Sequence, residues 1–122
     1  AAPPFAGPAG DVRRLCLGAS PADAFGAVLE SLHVLGHVSY VDRSSAVLEV
    51  VVTPVPGQAT SMLVVLETPA DARLRVPDEW DGPVTVATVC VEPLGRHPPA
   101  SLDDLVERLA SLLARERRAP SA

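Results

Sequence analysis

At Gly36 the spacing of apolar residues changes from helical to alternating, and this change constrains the fold more than any other feature of the chain. Ahead of it, Phe25, Val28, Leu29, Leu32 and Leu35 share one helical face, with Asp23, Glu30 and Ser31 outside it. Behind it, Val38 to Asp42 alternates as a strand does. The helix has a clear start in Ser20-Pro21-Ala22-Asp23: a serine cap, proline at the first helical position, and an acid three residues after the cap to meet free N–H groups. A helix from Pro21 to about Leu35 is therefore expected. Gly36 is expected to be a left-handed residue that ends it.

Similar periodicities mark the rest of the chain. Val12 to Leu17 is an apolar-biased strand ended by Gly18. After Val38 to Asp42, Arg43-Ser44-Ser45 forms a turn into a β-branched strand from Ala46 to Thr53, the two making a hairpin. Thr53 to Gln58, with two prolines and a glycine, is a loop, and Ser61 to Glu67 is the next strand. Pro69-Ala70-Asp71 turns into Ala72 to Val76, where Ala72, Leu74 and Val76 alternate with Arg73 and Arg75 as in a strand with one wet side. Pro77 to Pro83 is a loop, and Val84 to Val91 is the most apolar strand. Ser101-Leu102-Asp103-Asp104 caps a second helix striped by Leu102, Leu105, Val106, Leu109, Leu112 and Leu113. Its aspartates suit the positive end of the dipole, and Arg115, Arg117 and Arg118 the negative end.

The expected architecture is α+β. An antiparallel sheet of about five to six strands, in the order β-α-β-β-β-β-β-α, is packed on one face by two amphipathic helices. Residues 12–118 form the single expected domain. Residues 1–11, rich in Pro, Gly and Ala, form a linker or arm anchored by Phe5, and 119–122 a C-terminal tail. With 122 residues, 48% of them apolar, the chain is long enough to bury a core without staples. Phe5, Phe25, Tyr40 and Trp80 are its only aromatics, so the interior should be aliphatic. The first residue is Ala rather than Met, as in a fragment or processed product.

Charge and composition narrow the class of function. Net charge is −5 and every one of the ten basic residues is arginine, with no Lys, Ile or Asn in the chain, a bias expected of a GC-rich genome. An acidic chain without a basic stripe is a poor nucleic-acid binder, because phosphate neutralisation supplies most non-specific affinity. No run is long and apolar enough to span a bilayer, which points to a soluble, cytoplasmic protein. Cys16 and Cys90 lie in apolar runs and read as small buried thiols in a reducing compartment rather than as a disulfide.

Candidate chemistry is sparse. His33 and His37 stand four apart, the spacing of a helical metal pair, but Gly36 interrupts the helix and Val34 stands where a zinc protease carries its glutamate. His33 is expected at the boundary of the apolar face. His37, just past the helix, is expected to act as a pH-sensitive cap on its last carbonyls. Asp78, Glu79 and Asp81 lack the ligand ladder of a calcium loop, so Trp80 is the notable member of that stretch, a candidate partner contact along with Phe5. Arg73 and Arg75 are candidates to bind a partner's carboxylate or phosphate, or simply a solvated face. No local signature marks either cysteine as a nucleophile, and no Gly-rich phosphate loop is present. No cofactor or metal is expected.

Two resemblances rest on element order. The stretch L-G-A-S-P-A-D-A-F-G-A-V-L-E-S-L, followed by a meander and a long closing helix, resembles a shortened helix-grip (START/polyketide-cyclase-like) domain, with one N-terminal helix in place of the usual pair. That resemblance implies a small apolar ligand held between the sheet and the last helix. The helix-sheet-helix order from Pro21 to Arg118 also resembles the kinase-associated regulatory domains at kinase C-termini, without their basic surface, and implies a binding module. The residues favour a non-catalytic protein-interaction or regulatory domain, part of a larger chain or assembly and engaging a protein partner or a second copy. The alternative is the helix-grip-like carrier.

Overall fold

The computed structural model describes residues 12–53, 59–76, 82–94 and 101–118. Among these residues five strands and two helices occur in the order β1 (Val12–Leu17), α1 (Pro21–Leu35), β2 (His37–Asp42), β3 (Val47–Val52), β4 (Thr60–Glu67), β5 (Thr85–Pro93) and α2 (Leu102–Arg118). The strands form one antiparallel sheet ordered β1-β5-β4-β3-β2, so β2 to β5 make a meander and β1 closes against its last strand. The outer strands are β1 and β2. This is the expected α+β class.

Both helices lie on one face of the sheet. α1 packs over β2, β3 and β4, α2 over β1 and β5, and the two pack against each other. The register identifies which residues they cover: Leu48, Val50 and Val52 of β3, Met62, Val64 and Leu66 of β4, and Ala87 and Val89 of β5 are all buried in one core. From above come Ala24, Phe25, Val28 and Leu32 of α1, and Leu102, Leu105, Leu109 and Leu113 of α2. Among the described residues the interior is aliphatic apart from Phe25. Burying each such Leu, Val or Met contributes about 1.5–3 kcal/mol, so this layer holds the fold together.

The helix starts act as their sequences dictate. Ser20 accepts from the Asp23 N–H at 3.3 Å with Pro21 at the first helical position, and Ser101 accepts from the Asp104 N–H at 3.3 Å.

Three expectations are corrected. Ala72 to Val76 is not a strand: the N–H groups of Ala72, Arg73 and Leu74 donate to the carbonyls of Thr68, Ala70 and Pro69 at 3.0, 3.1 and 2.9 Å, and a donor held in a local turn cannot join a ladder. The alternation survives as burial, since Ala72 is buried, Leu74 and Val76 are half-buried, and Arg73 and Arg75 are exposed. Gly36 is not left-handed. Its φ is −177°, and glycine is needed there for a different reason, since a Cβ would strike the Val51 carbonyl oxygen and lie 3.1 Å from Val51 C and 3.3 Å from Val52 Cα. Cys16 is exposed rather than buried, because β1 is an outer strand and Cys16 falls on the face away from the helices; Cys90 is half-buried.

Candidate functional site

The far face of the sheet and the open edges of its two outer strands are what the helices leave uncovered, although Val86, Thr88 and Ser61 on that face are buried. On that face the register places Val12, Arg14 and Cys16 of β1, Val86, Thr88 and Cys90 of β5, Ser61, Leu63, Val65 and Glu67 of β4, Val47, Glu49 and Val51 of β3, and His37, Tyr40 and Asp42 of β2.

The two edges are built differently. On β1, Arg13 is tied to Asp103 of α2 by a hydrogen-bonded ion pair of 2.8 Å and also donates to the Val12 carbonyl at 3.0 Å, while Arg14 stands exposed beside it. Charged residues on an outer strand discourage another strand from adding to it. The Arg13 side chain is 49% exposed, so the ion pair orders the edge more than it stabilises the fold. On β2, by contrast, the four central residues Val38, Ser39, Tyr40 and Val41 are uncharged. Tyr40 is 50% exposed on the far face and Val41 42% exposed on the helix face. Both sides of this edge strand therefore present apolar surface at its midpoint.

Local chemistry holds β2 in place. Gly36 lets the chain pass from the end of α1 into β2 hard against the β3 backbone, its N–H donating to the Leu32 carbonyl at 3.0 Å. The ladder between β2 and β3 slips once, between Val38 and Tyr40, so that Ser39 is an extra residue in β2. Ser39 donates to the Glu49 carboxylate at 2.6 Å and Ser61 of β4 donates to its other oxygen at 2.7 Å. These two hydroxyls hold the Glu49 carboxyl below the usual carboxylate range.

Asp42 ends the strand by gathering its own turn. It accepts from the Ser44 N–H and hydroxyl, the Ser45 N–H and hydroxyl, and the Tyr40 hydroxyl, at 2.6 to 3.2 Å. The Ser44 and Ser45 hydrogen bonds lower its pKa to about 2. Beside it, the Arg43 guanidinium lies 4.8 Å from the centre of the Phe25 ring, so the turn also closes over one end of α1. The signal for this turn was in the sequence as Asp42-x-Ser44-Ser45, an aspartate followed by donors two and three residues on. No sequence argument singled out Tyr40 or Val41.

Among the described residues the sequence candidates do not come together. Phe5, Trp80 and the acidic stretch Asp78, Glu79 and Asp81 lie outside the described residues. Arg73 and Arg75 are exposed on the segment after β4, with Arg73 at φ +56°. His33 is exposed in the last turn of α1, and His37 is the first residue of β2, opposite Val51, so the two histidines sit on different elements. Among the described residues no hydrogen bond joins the His37 ring to a carbonyl of α1. The Leu32 carbonyl, one of the last of α1, accepts from the Gly36 N–H.

Burial, and then the Glu92 charge, push the Cys90 thiol up, disfavouring the thiolate that a nucleophile needs. Cys90 pairs with Val12 and Cys16 with Val86, so the thiols are offset by four positions along the ladder, roughly 13 Å and beyond disulfide reach. Among the described residues there is no group of three or more His, Cys, Asp or Glu able to hold a metal, no buried side-chain polar atom without a hydrogen bond, and no helix long and apolar enough to cross a membrane. No family model matches the chain, and neither the curated proteins nor the solved structures contain a match.

Proposed function

We propose that residues 12–118 form a cytoplasmic, non-catalytic protein-interaction or regulatory domain that works within a larger chain or assembly. The observation that carries this reading is the β2 edge, an outer strand with Tyr40 and Val41 exposed on its two faces and no charge between His37 and Asp42. Unpaired edge strands with apolar side chains bind by adding another strand, the backbone supplying affinity and the alternating side chains selectivity. The acids with lowered pKa support a structural role, since Asp42 and Glu49 accept hydrogen bonds from neighbouring serines and order the turn and the sheet. Arg73 and Arg75 stand exposed as further candidate contacts.

The alternative, a carrier of a small apolar ligand, needs space between α2 and the sheet. Leu105, Leu109 and Leu113 of α2 and Val89 of β5 are buried in that layer, which favours the interaction reading.

A photoreactive residue introduced at position 40 tests the proposal in cells of the natural source. Cross-linking to protein, lost when Val41→Arg is added, is the expected result. Absence of any adduct, together with a small molecule retained by the native chain in native mass spectrometry, would replace it with the carrier.

A further inference from the structure

We infer that the β2 edge pairs with the β2 edge of a second copy of this chain, antiparallel about a two-fold axis, joining two five-stranded sheets into one. The inference rests on the interaction reading and names its partner.

The bulge in β2 sets the pattern that a partner strand must match. In an unbroken strand successive residues point to opposite faces, but in β2 the ladder slips at Ser39. His37, Tyr40 and Asp42 lie opposite Val51, Glu49 and Val47 and share the far face, while Val38 and Val41 lie opposite Val50 and Leu48 and share the helix face. Ser39 joins the far-face set through its hydrogen bond to the Glu49 carboxylate. A regular strand meets this pattern only by setting one residue against two, as Glu49 of β3 does against Ser39 and Tyr40, which is why a bulge ordinarily blunts an edge.

A copy of the same strand matches it. In the antiparallel register that sets Ser39 against Tyr40 of the second copy, Val38 faces Val41 and His37 faces Asp42. Every one of these pairs joins residues of the same face, and each bulge lies against the other. Registers centred on Ser39 or on Tyr40 bring far-face residues against helix-face residues. One centred on Val41 keeps like faces together only for Tyr40, Val41 and Asp42.

Charge agrees with the matched register. At each end it sets an imidazole against the Asp42 carboxylate, and no like charges meet along β2. The β1 edge offers no comparable partner surface, because Arg13 is committed to Asp103 and Arg14 would meet incoming chains with a second cation. Symmetric pairing uses one patch twice, the usual geometry of a homodimer. A six-residue strand pair is a small interface, so the dimer is expected to dissociate on dilution.

Sedimentation velocity of the full chain between about 1 µM and about 1 mM, the range in which weak contacts assemble, reads this directly. Mass rising from monomer to dimer and no further is expected. Val41→Arg, which places a cation opposite an apolar side chain at both ends of the axis, should raise the dissociation constant about tenfold or more. His37→Asp, at an exposed position, should also weaken the dimer by setting two carboxylates face to face, and it keeps the test open if Val41→Arg fails to fold by circular dichroism.

A monomer across the whole range would overturn the inference. So would a dimer indifferent to both substitutions, or one weakened by Val41→Arg but not by His37→Asp, which would indicate another register. A monomer that still gives the Val41→Arg-sensitive cross-link from position 40 would leave the interaction reading standing with a different partner. Loss of that cross-link as well would remove both.

Discussion

Two stretches of this chain begin alike and end in different structures. Ser20-Pro21-Ala22-Asp23 opens the 15-residue helix α1, and Thr68-Pro69-Ala70-Asp71 opens a single turn. Their first hydrogen bonds correspond atom for atom. The aspartate N–H donates to the cap hydroxyl at 3.3 Å in one and 3.1 Å in the other, and the next alanine N–H donates to the cap carbonyl at 2.8 and 3.0 Å. The residues after the start decide the outcome. After Asp23 the buried positions Phe25, Val28 and Leu32 recur on one helical face, so each further turn adds buried area. After Asp71 the shielded positions are Ala72, Leu74 and Val76, two apart, which a helix would scatter around its circumference, and Pro77 comes next. A cap nucleates a helix, but tertiary burial propagates it.

The ends differ as instructively as the middles. The short turn closes with a full left-handed cap: Leu74 N–H reaches back to the Pro69 carbonyl, Arg73 N–H to the Ala70 carbonyl, and Arg73 itself sits at φ +56°. α1 ends at a glycine with an extended backbone. The glycine stands where close approach to β3 demands it, and the left-handed position is occupied by arginine.

If burial is what separates the two stretches, removing it should affect them unequally. Leu32→Ala should lower stability by about 3–5 kcal/mol, as for a large side chain deleted from a packed core, while Leu74→Ala, at a half-buried position, should lose about 1 kcal/mol or less. Urea denaturation of both variants checks the pair. Equal losses would mean that the segment after β4 is as much a part of the core as α1.

The next largest effect lies at Gly36. Close approach predicts that any side chain there collides with the Val51 carbonyl, so Gly36→Ala and Gly36→Asn should both lose about 1–3 kcal/mol, the range for overpacking. A left-handed glycine would give a different result, because asparagine tolerates that conformation better than alanine. Thermal melts of the two variants distinguish the explanations, and a distinctly milder Gly36→Asn would overturn close approach.

The caps themselves come third. Ser20→Ala should cost about 1 kcal/mol, within the usual range for losing an N-cap acceptor, and Thr68→Ala clearly less, because only one turn depends on it. Matching losses in chemical denaturation would show that the start, rather than the burial beyond it, carries the difference.

The contrast explains what could be read from the sequence. The bounds of α1, the capped start of α2 and the aliphatic core were legible, because each rests on spacing within a few residues. The pattern at 72 to 76 was also real, since alternate residues are shielded, but alternation reports burial on one side and not hydrogen bonding to a neighbouring strand. Two further features were out of reach because they depend on distant parts of the chain. Gly36 is constrained by Val51 across the sheet. The exposure of Cys16, Tyr40 and Val41 arises from β1 and β2 being outermost, which is settled only when Val12 pairs with Cys90. The candidate site is thus a property of strand order, and its residues carry no local mark.

The smallest effect has the opposite sign. Arg73 holds a left-handed conformation that disfavours a residue with a Cβ by roughly 1–2 kcal/mol, against which glycine loses roughly 0.5–1 kcal/mol more chain entropy on folding. Arg73→Gly should therefore stabilise the protein by about 0.5–1 kcal/mol, whereas Arg73→Ala, which removes the cation but keeps the strain, should leave stability nearly unchanged. Differential scanning calorimetry of the two variants separates backbone strain from side-chain charge. Equal melting temperatures for both would mean that the turn tolerates arginine without cost, and the difference between the two ends would then lie wholly in what Gly36 meets at Val51. A stabilised Arg73→Gly would instead place the one strained cap of the pair on the stretch that buries less, where a short turn has least to lose from it.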